Sequence, residues 1–306
     1  MATRQEPNAP VIIALPFGYS CGTAKTNAIL TDDIILKHLI AFFLAPFHPL
    51  RRFPLPSPCA FIDLPLPPLA RIGLSCVGID LGEDVDTWHT TALSCVTVGE
   101  QAHARRYRRQ LDATRHLVGR ALVRALLARE LGLASLAAEF TLNPWGKPML
   151  PACAWAFNIA HAGQHVWVAL GRGADVGIDV EAEDAASDPY AESAVLHLAE
   201  RTALLQLNRR AAQLAFLRCW TRKEAIVKAL GEGLSRPLSS FRVDLGDAPR
   251  DWLAEAPLAT VAGWTVADLP LGAGYHASVA ATAPGLPIAC HPAIKASAGR
   301  QSRSAR

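Results

Sequence analysis

Asp175-Val176-Gly177-Ile178-Asp179-Val180-Glu181 is an apolar run that ends in two carboxylates spaced i and i+2. Valine and isoleucine favour extended backbone, and side chains alternate along a strand, so the two acids share one face of the pleat. The same core occurs about a hundred residues earlier as Val77-Gly78-Ile79-Asp80-Leu81, an internal echo that suggests two related halves. A helical stretch follows each copy. The first runs from His103 to Leu131, with Leu117, Val118, Ala121, Leu122, Ala125 and Leu126 in helical spacing, and the second runs from Ala194 to Leu230 as one or two helices. Further strands are expected over Ala154 to Ile159, His165 to Gly171, Trp264 to Leu269 and Gly274 to Ala281. The fold class is therefore α+β, with two pseudo-equivalent α/β halves. A doubly wound nucleotide-binding fold is disfavoured, because no Gly-x-Gly-x-x-Gly or Gly-x-x-x-x-Gly-Lys-Ser/Thr element follows any candidate strand.

The ends of the chain read differently. Of 22 prolines, 11 fall within residues 1–70, including Phe53-Pro54-Leu55-Pro56-Ser57-Pro58, and fixed φ with missing donors opposes regular structure there. Residues 1–72 are expected to be a proline-rich, poorly ordered extension, 73–175 the first half, 176–288 the second half and 289–306 a flexible tail. Thirty Lys and Arg against 27 Asp and Glu leave a formal charge of +3, too little to draw the whole molecule to nucleic acid or a membrane. Seven scattered cysteines form no C-x-x-C pair, which favours reduced thiols and a cytoplasmic location. The most apolar stretch, Ile34 to Leu50, is broken by Lys37, His38, Pro46 and Pro49, so neither a signal peptide nor a membrane span is expected.

Three stretches carry chemistry. Paired carboxylates at Asp179 and Glu181 suit a hard cation such as Mg²⁺, which borrows its remaining oxygens from water and from phosphate groups; the same pair is also what a strand ending at the surface would show. In Trp220-Thr221-Arg222-Lys223-Glu224-Ala225-Ile226-Val227-Lys228, helical spacing puts Trp220, Glu224 and Lys228 on one face. Taken alone, Glu224 and Lys228 are equally a surface ion pair. Upstream, Asn143-Pro144-Trp145-Gly146-Lys147-Pro148 presents a lysine on a rigid turn, and Phe157-Asn158-Ile159-Ala160-His161-Ala162 places a histidine after a strand.

In this order the motifs resemble those of the 4'-phosphopantetheinyl transferase superfamily, specifically its large, single-chain surfactin-synthetase-activating type. The family's Gly-Lys-Pro, Phe-Asn-x-Ser-His-Ser, Gly-Ile-Asp-x-Glu and Trp-x-x-Lys-Glu-x-x-x-Lys are matched by residues 146–148, 157–162, 177–181 and 220–228. The resemblance spans roughly residues 77–285 and implies a monomer of two pseudo-equivalent halves with the active site between them. The implied reaction moves the 4'-phosphopantetheine of coenzyme A onto a serine of an acyl or peptidyl carrier protein, releasing adenosine 3',5'-bisphosphate.

By the same resemblance, Asp179, Glu181 and Glu224 bind Mg²⁺, Glu224 is the general base and Lys228 neutralises or protonates the leaving phosphate. Lys147 and His161 meet coenzyme A phosphates, Arg115 grips the nucleotide, and Glu200 stands where the family has another cleft glutamate. Arg105, Arg106, Arg108 and Arg109 add phosphate attraction or form a solvated helix face. The chain departs from the pattern where the family's flanking serines are Ala160 and Ala162, so that hydroxyl contacts to phosphate are lost. It departs again where lysines are expected ahead of the first helix, and His103 holds one of those positions.

Overall fold

The structure, a computed structural model, describes residues 59–132, 136–151, 153–184, 188–257 and 261–295. Every described residue lies in one compact unit within Arg52–Arg306. Most of the proline-rich extension, and the tail beyond residue 295, thus fall outside the described residues.

The first half opens with strand β1 (Leu74–Asp80) and helices α1 (Val85–Leu93), α2 (Val98–Ala104) and α3 (Gln110–Leu131). A short hairpin, β2 (Thr141–Leu142) and β3 (Pro148–Met149), leads to β4 (Trp155–Ala162) and β5 (His165–Arg172). The second half begins at β6 (Val176–Ala182) and continues through α4 (Pro189–Glu192), α5 (Leu198–Leu204) and α6 (Arg209–Leu230). It ends with β7 (Arg242–Val243), β8 (Leu253–Glu255), β9 (Thr265–Asp268) and β10 (Tyr275–Ala281), followed by β11 (Ile288–Cys290) and β12 (Ile294–Lys295).

Strand alternation builds the layers. In β1 and β5, Val77, Ile79, Val166, Val168 and Leu170 face α3 in one core, while Leu74, Cys76, Trp167 and Ala169 face the second sheet. The first sheet runs β11-β1-β5-β4, with β12 also on β1, and the second runs β6-β10-β9. Val176, Ile178 and Val180 of β6 join Val279 of β10 in the core between the sheets. The opposite face of β6, carrying Gly177, Asp179 and Glu181, is therefore the one against α6. Gly177 is required there, since a Cβ would come within 2.0 Å of the Ala225 carbonyl oxygen on α6. The halves are joined where Asn158 Oδ1 on β4 accepts the Ile178 backbone N–H on β6 at 2.9 Å, a buried bond.

Four expectations are corrected. Residues 59–72 are not loose: Phe61 is fully buried with its ring 5.7 Å from that of Trp88, and Arg129 donates to the Leu64 and Leu66 carbonyls. Residues 289–295 are not a flexible tail, because β11 and β12 pair in parallel with β1. Cys59 and Cys95 are joined as a disulfide, so the cysteines are not all reduced thiols; Cys76, Cys153, Cys219 and Cys290 are free. The first helical stretch is two helices, separated at residues 105–109. Among the described residues no helix is long and apolar enough to cross a membrane.

Candidate active site

Two elements bring the acids together. Helix α6 starts at Asn208, whose side chain accepts the Ala211 N–H at 3.0 Å, and stops at Gly231 in the left-handed conformation at φ 72°. Over its 22 residues it turns Cys219, Ile226 and Val227 into the core and Trp220, Glu224 and Lys228 toward the polar face of β6. Lys228 Nζ donates to Asp179 Oδ1, and the Trp220 indole hydrogen-bonds Glu181.

All three carboxyls are pushed upward. Burial raises Asp179, which is 4% exposed, although Lys228 opposes the shift. Burial and the neighbouring Asp179 push Glu181 up to about 7, against the pull of Lys228 and Trp220. Glu224 is raised by burial and, to a lesser degree, by Asp179. Three acids that resist ionisation at close quarters lack positive charge, and Lys228 alone does not supply enough.

The donor set fits a hard divalent cation. Asp179 Oδ2 and Glu224 Oε1 are buried and have no hydrogen-bond partner among the described residues, while both atoms belong to the group that surrounds Glu181. Among the described residues, no three acidic, histidine or cysteine side chains already stand at the spacing of a coordination shell. The Lys228 ammonium bonded to Asp179 accounts for this, since one cation is drawn into the charge that another would neutralise. Orphaned oxygens and raised carboxyls are what a set of cation donors shows before an ion draws the side chains together.

His161 lies at the end of β4 on the side of α3, where Arg115 donates to the Gly163 carbonyl at 2.9 Å and to Asp112 at 2.9 Å. Loss of surrounding water and then Arg115 hold the His161 ring below the ordinary histidine value, with Lys228 adding to the effect. His161, Arg115, Lys228 and the three acids thus form one continuous polar region at the seam between the halves.

Lys147 stands apart. Its ammonium donates to the Val176 carbonyl at 3.0 Å and the Ala229 carbonyl at 2.9 Å, pinning the β2–β3 hairpin to the second half. It also lines a cavity of about 420 Å³ with Trp155, Phe157 and Asp175, and none of Asp179, Glu181, Glu224, Lys228 or His161 borders that cavity. The charged lining of the cavity is Lys147 and Asp175.

Glu200 is structural. It is 1% exposed, caps α5 through the His197 N–H, accepts the Val243 N–H at 2.7 Å and pairs with Lys223 at 2.9 Å. Lys223 in turn donates to the Leu238 and Phe241 carbonyls at 2.7 and 2.6 Å, so the first lysine of the helical motif points into the core. Ala160 and Ala162 are buried in the core between the sheets, where a hydroxyl would face apolar neighbours; the lost serines are not a gap in a phosphate site. Sequence reasoning missed Asn158 as the joint between the halves, and its place beside His161 in the same motif is the signal that marked it.

A family model described as the 4'-phosphopantetheinyl transferase superfamily matches residues 175–280, and one described as 4'-phosphopantetheinyl transferase, N-terminal, matches residues 84–172. The 4'-phosphopantetheinyl transferase ffp of Bacillus subtilis is 32% identical over 160 residues, covering 52% of this chain and 70% of its own. The 4'-phosphopantetheinyl transferase Sfp of Bacillus subtilis strain 168 is 32% identical over 154 residues, 50% of this chain and 68% of its own. The 4'-phosphopantetheinyl transferase HetI of Nostoc is 29% identical over 175 residues, 56% of this chain and 71% of its own. The chain belongs to the 4'-phosphopantetheinyl transferase superfamily.

Proposed function

We propose that this enzyme transfers the 4'-phosphopantetheine of coenzyme A to a serine of an acyl or peptidyl carrier protein, with Mg²⁺ held by Asp179, Glu181 and Glu224. The observation that carries the reading is the convergence of three destabilised carboxylates on Lys228, with an orphaned oxygen on Asp179 and another on Glu224. When bound, the ion supplies positive charge to the pyrophosphate oxygens as charge develops on them.

The chain's own groups do the rest. Glu224, its carboxyl raised by burial, accepts the proton of the carrier serine. The serine oxygen attacks the β-phosphorus, and the bond from that phosphorus to the leaving adenosine 3',5'-bisphosphate oxygen breaks. Lys228 neutralises the leaving phosphate, and His161 and Arg115 hold the anionic end of coenzyme A. Lys147 serves coenzyme A through the position of the hairpin, since its ammonium is engaged by backbone carbonyls. The enzyme works as a monomer in the cytoplasm, with no nucleic-acid or membrane partner.

Intact-mass spectrometry of an apo carrier incubated with the protein, coenzyme A and Mg²⁺ tests the reading. One added phosphopantetheine, absent when EDTA is present, is expected. No addition on acyl and peptidyl carriers alike would overturn it in favour of a carrier-binding module without turnover.

A further inference from the structure

Behind the acid cluster runs a buried polar chain that the proposed chemistry does not use. Ser278 on β10 is the register partner of Asp179 on β6, so the two side chains share the face of the sheet that meets α6. Thr221 on α6, one turn ahead of Glu224, meets Ser278 there, with its Oγ1 3.0 Å from the serine Oγ. Ser278 Oγ donates to Asp268 Oδ1 at 2.9 Å, and Arg222 Nε donates to the same oxygen at 3.1 Å. Arg222 also donates to Asp268 Oδ2 and to the Asp244, Gly246 and Ala248 carbonyls at 2.6, 3.0 and 2.9 Å. Thr221, Arg222 and Ser278 are all fully buried.

The acceptors fix the direction of the hydroxyl bonds. A carboxylate oxygen only accepts, so the Ser278 proton goes to Asp268 and the serine oxygen accepts from Thr221. The Thr221 proton has a second acceptor in the Arg218 carbonyl at 3.1 Å, the back-bond open to a helical threonine. Without the link, Thr221 therefore keeps Arg218 and Asp268 keeps Arg222, so neither group is stranded in the core. What the link adds is spacing. Helix α6 touches the second sheet closely at Gly177, under the Ala225 carbonyl, and again where Thr221 meets Ser278 level with Asp179.

We propose that Thr221 and Ser278 are positioning residues for the acid cluster: their hydroxyl bond, anchored on Asp268 and Arg222, sets the separation of α6 and β6 at which Asp179 and Glu224 reach one divalent cation. This rests on the three acids holding that ion. The two orphaned oxygens come one from each element, Asp179 Oδ2 from the strand and Glu224 Oε1 from the helix, so their separation is the separation of those elements. Mg²⁺ demands short, near-ideal octahedral bonds, whereas Ca²⁺ accepts longer and more variable ones. A cluster with its spacing released thus loses Mg²⁺ before it loses Ca²⁺.

Titration of Tm against Mg²⁺ and, separately, against Ca²⁺ reads the affinity of each ion without requiring transfer. Each protein supplies its own metal-free baseline, so a loss of stability alone moves that baseline and leaves the ion's dissociation constant in place. Ser278→Ala and Thr221→Val each remove one end of the link. Either is expected to weaken Mg²⁺ by about tenfold or more and Ca²⁺ by at most about threefold. Thr221→Ser, which keeps the hydroxyl, is expected to restore the wild-type preference. Unchanged affinities, parallel weakening of both ions, or a Thr221→Ser variant that behaves like Thr221→Val would overturn the assignment and leave the metal reading standing. A wild type that takes up no Mg²⁺ would overturn the metal reading, and this assignment with it.

Discussion

The carboxyl of Glu181, pushed up to about 7 by burial and by Asp179, makes the site an electrostatic liability in the ion-free protein. A carboxyl whose folded value lies above its unfolded one favours the folded state least when ionised. Its contribution is thus present in acid and is lost as pH rises from about 4.5 toward about 7. A divalent cation reverses this. The rise in Tm caused by millimolar Mg²⁺ is therefore expected to be larger near pH 8 than near pH 5, which differential scanning calorimetry would read; an equal rise at both would mean that the ion binds elsewhere. Glu224→Gln keeps the volume and removes the proton acceptor, and should lower turnover by about 10²- to 10⁴-fold with an unchanged melting curve in EDTA. The identity of these acids was legible because period-two and helical spacing put each on a face. Their grouping was an expectation of the family resemblance alone, since spacing does not say which side of β6 meets α6.

At the scale of elements, the echo of Val-Gly-Ile-Asp marked β1 and β6, and β4, β5, β9 and β10 fell within a few residues of their expected places. The break between α2 and α3 escaped because no glycine or proline marks it. What marks it is a lapse of apolar period: Ala104 and Ala113 are buried, and Arg105, Arg106, Tyr107, Arg108 and Arg109 between them are all exposed. Gly177 shows how closely α6 sits on β6. Gly177→Ala places a Cβ against backbone that has no flexible end to move, and should destabilise by about 1–3 kcal/mol or more in urea titration, with activity falling as Asp179 and Lys228 separate. An unchanged midpoint would show that the helix stands further from the strand.

Across the whole molecule, the arm at 59–72 and the strands at 288–295 were the least legible parts. Proline-rich and short apolar segments carry no period of their own; the partners that order them, Trp88, Arg129 and β1, lie far away in sequence. Phe61→Ala should cost about 3–5 kcal/mol, which a denaturant titration under non-reducing conditions would measure. A small loss would mean that the arm adds little to the first core. Asn158→Ala leaves the Ile178 N–H buried without its partner, and should cost about 1–3 kcal/mol and lower turnover by loosening the seam on which His161 and Asp179 are held. Stability and activity should fall together; a stable, fully active variant would show that the seam does not depend on this bond.

The measurement that tests the central claim most directly is the initial rate of carrier modification against Mg²⁺ concentration, for the wild type and for Glu181→Gln. The carboxylate cluster predicts no turnover in EDTA, a saturable response in the wild type, and a half-saturating concentration about ten- to a hundredfold higher in the variant. Superimposable Mg²⁺ curves, or full turnover in EDTA, would contradict it.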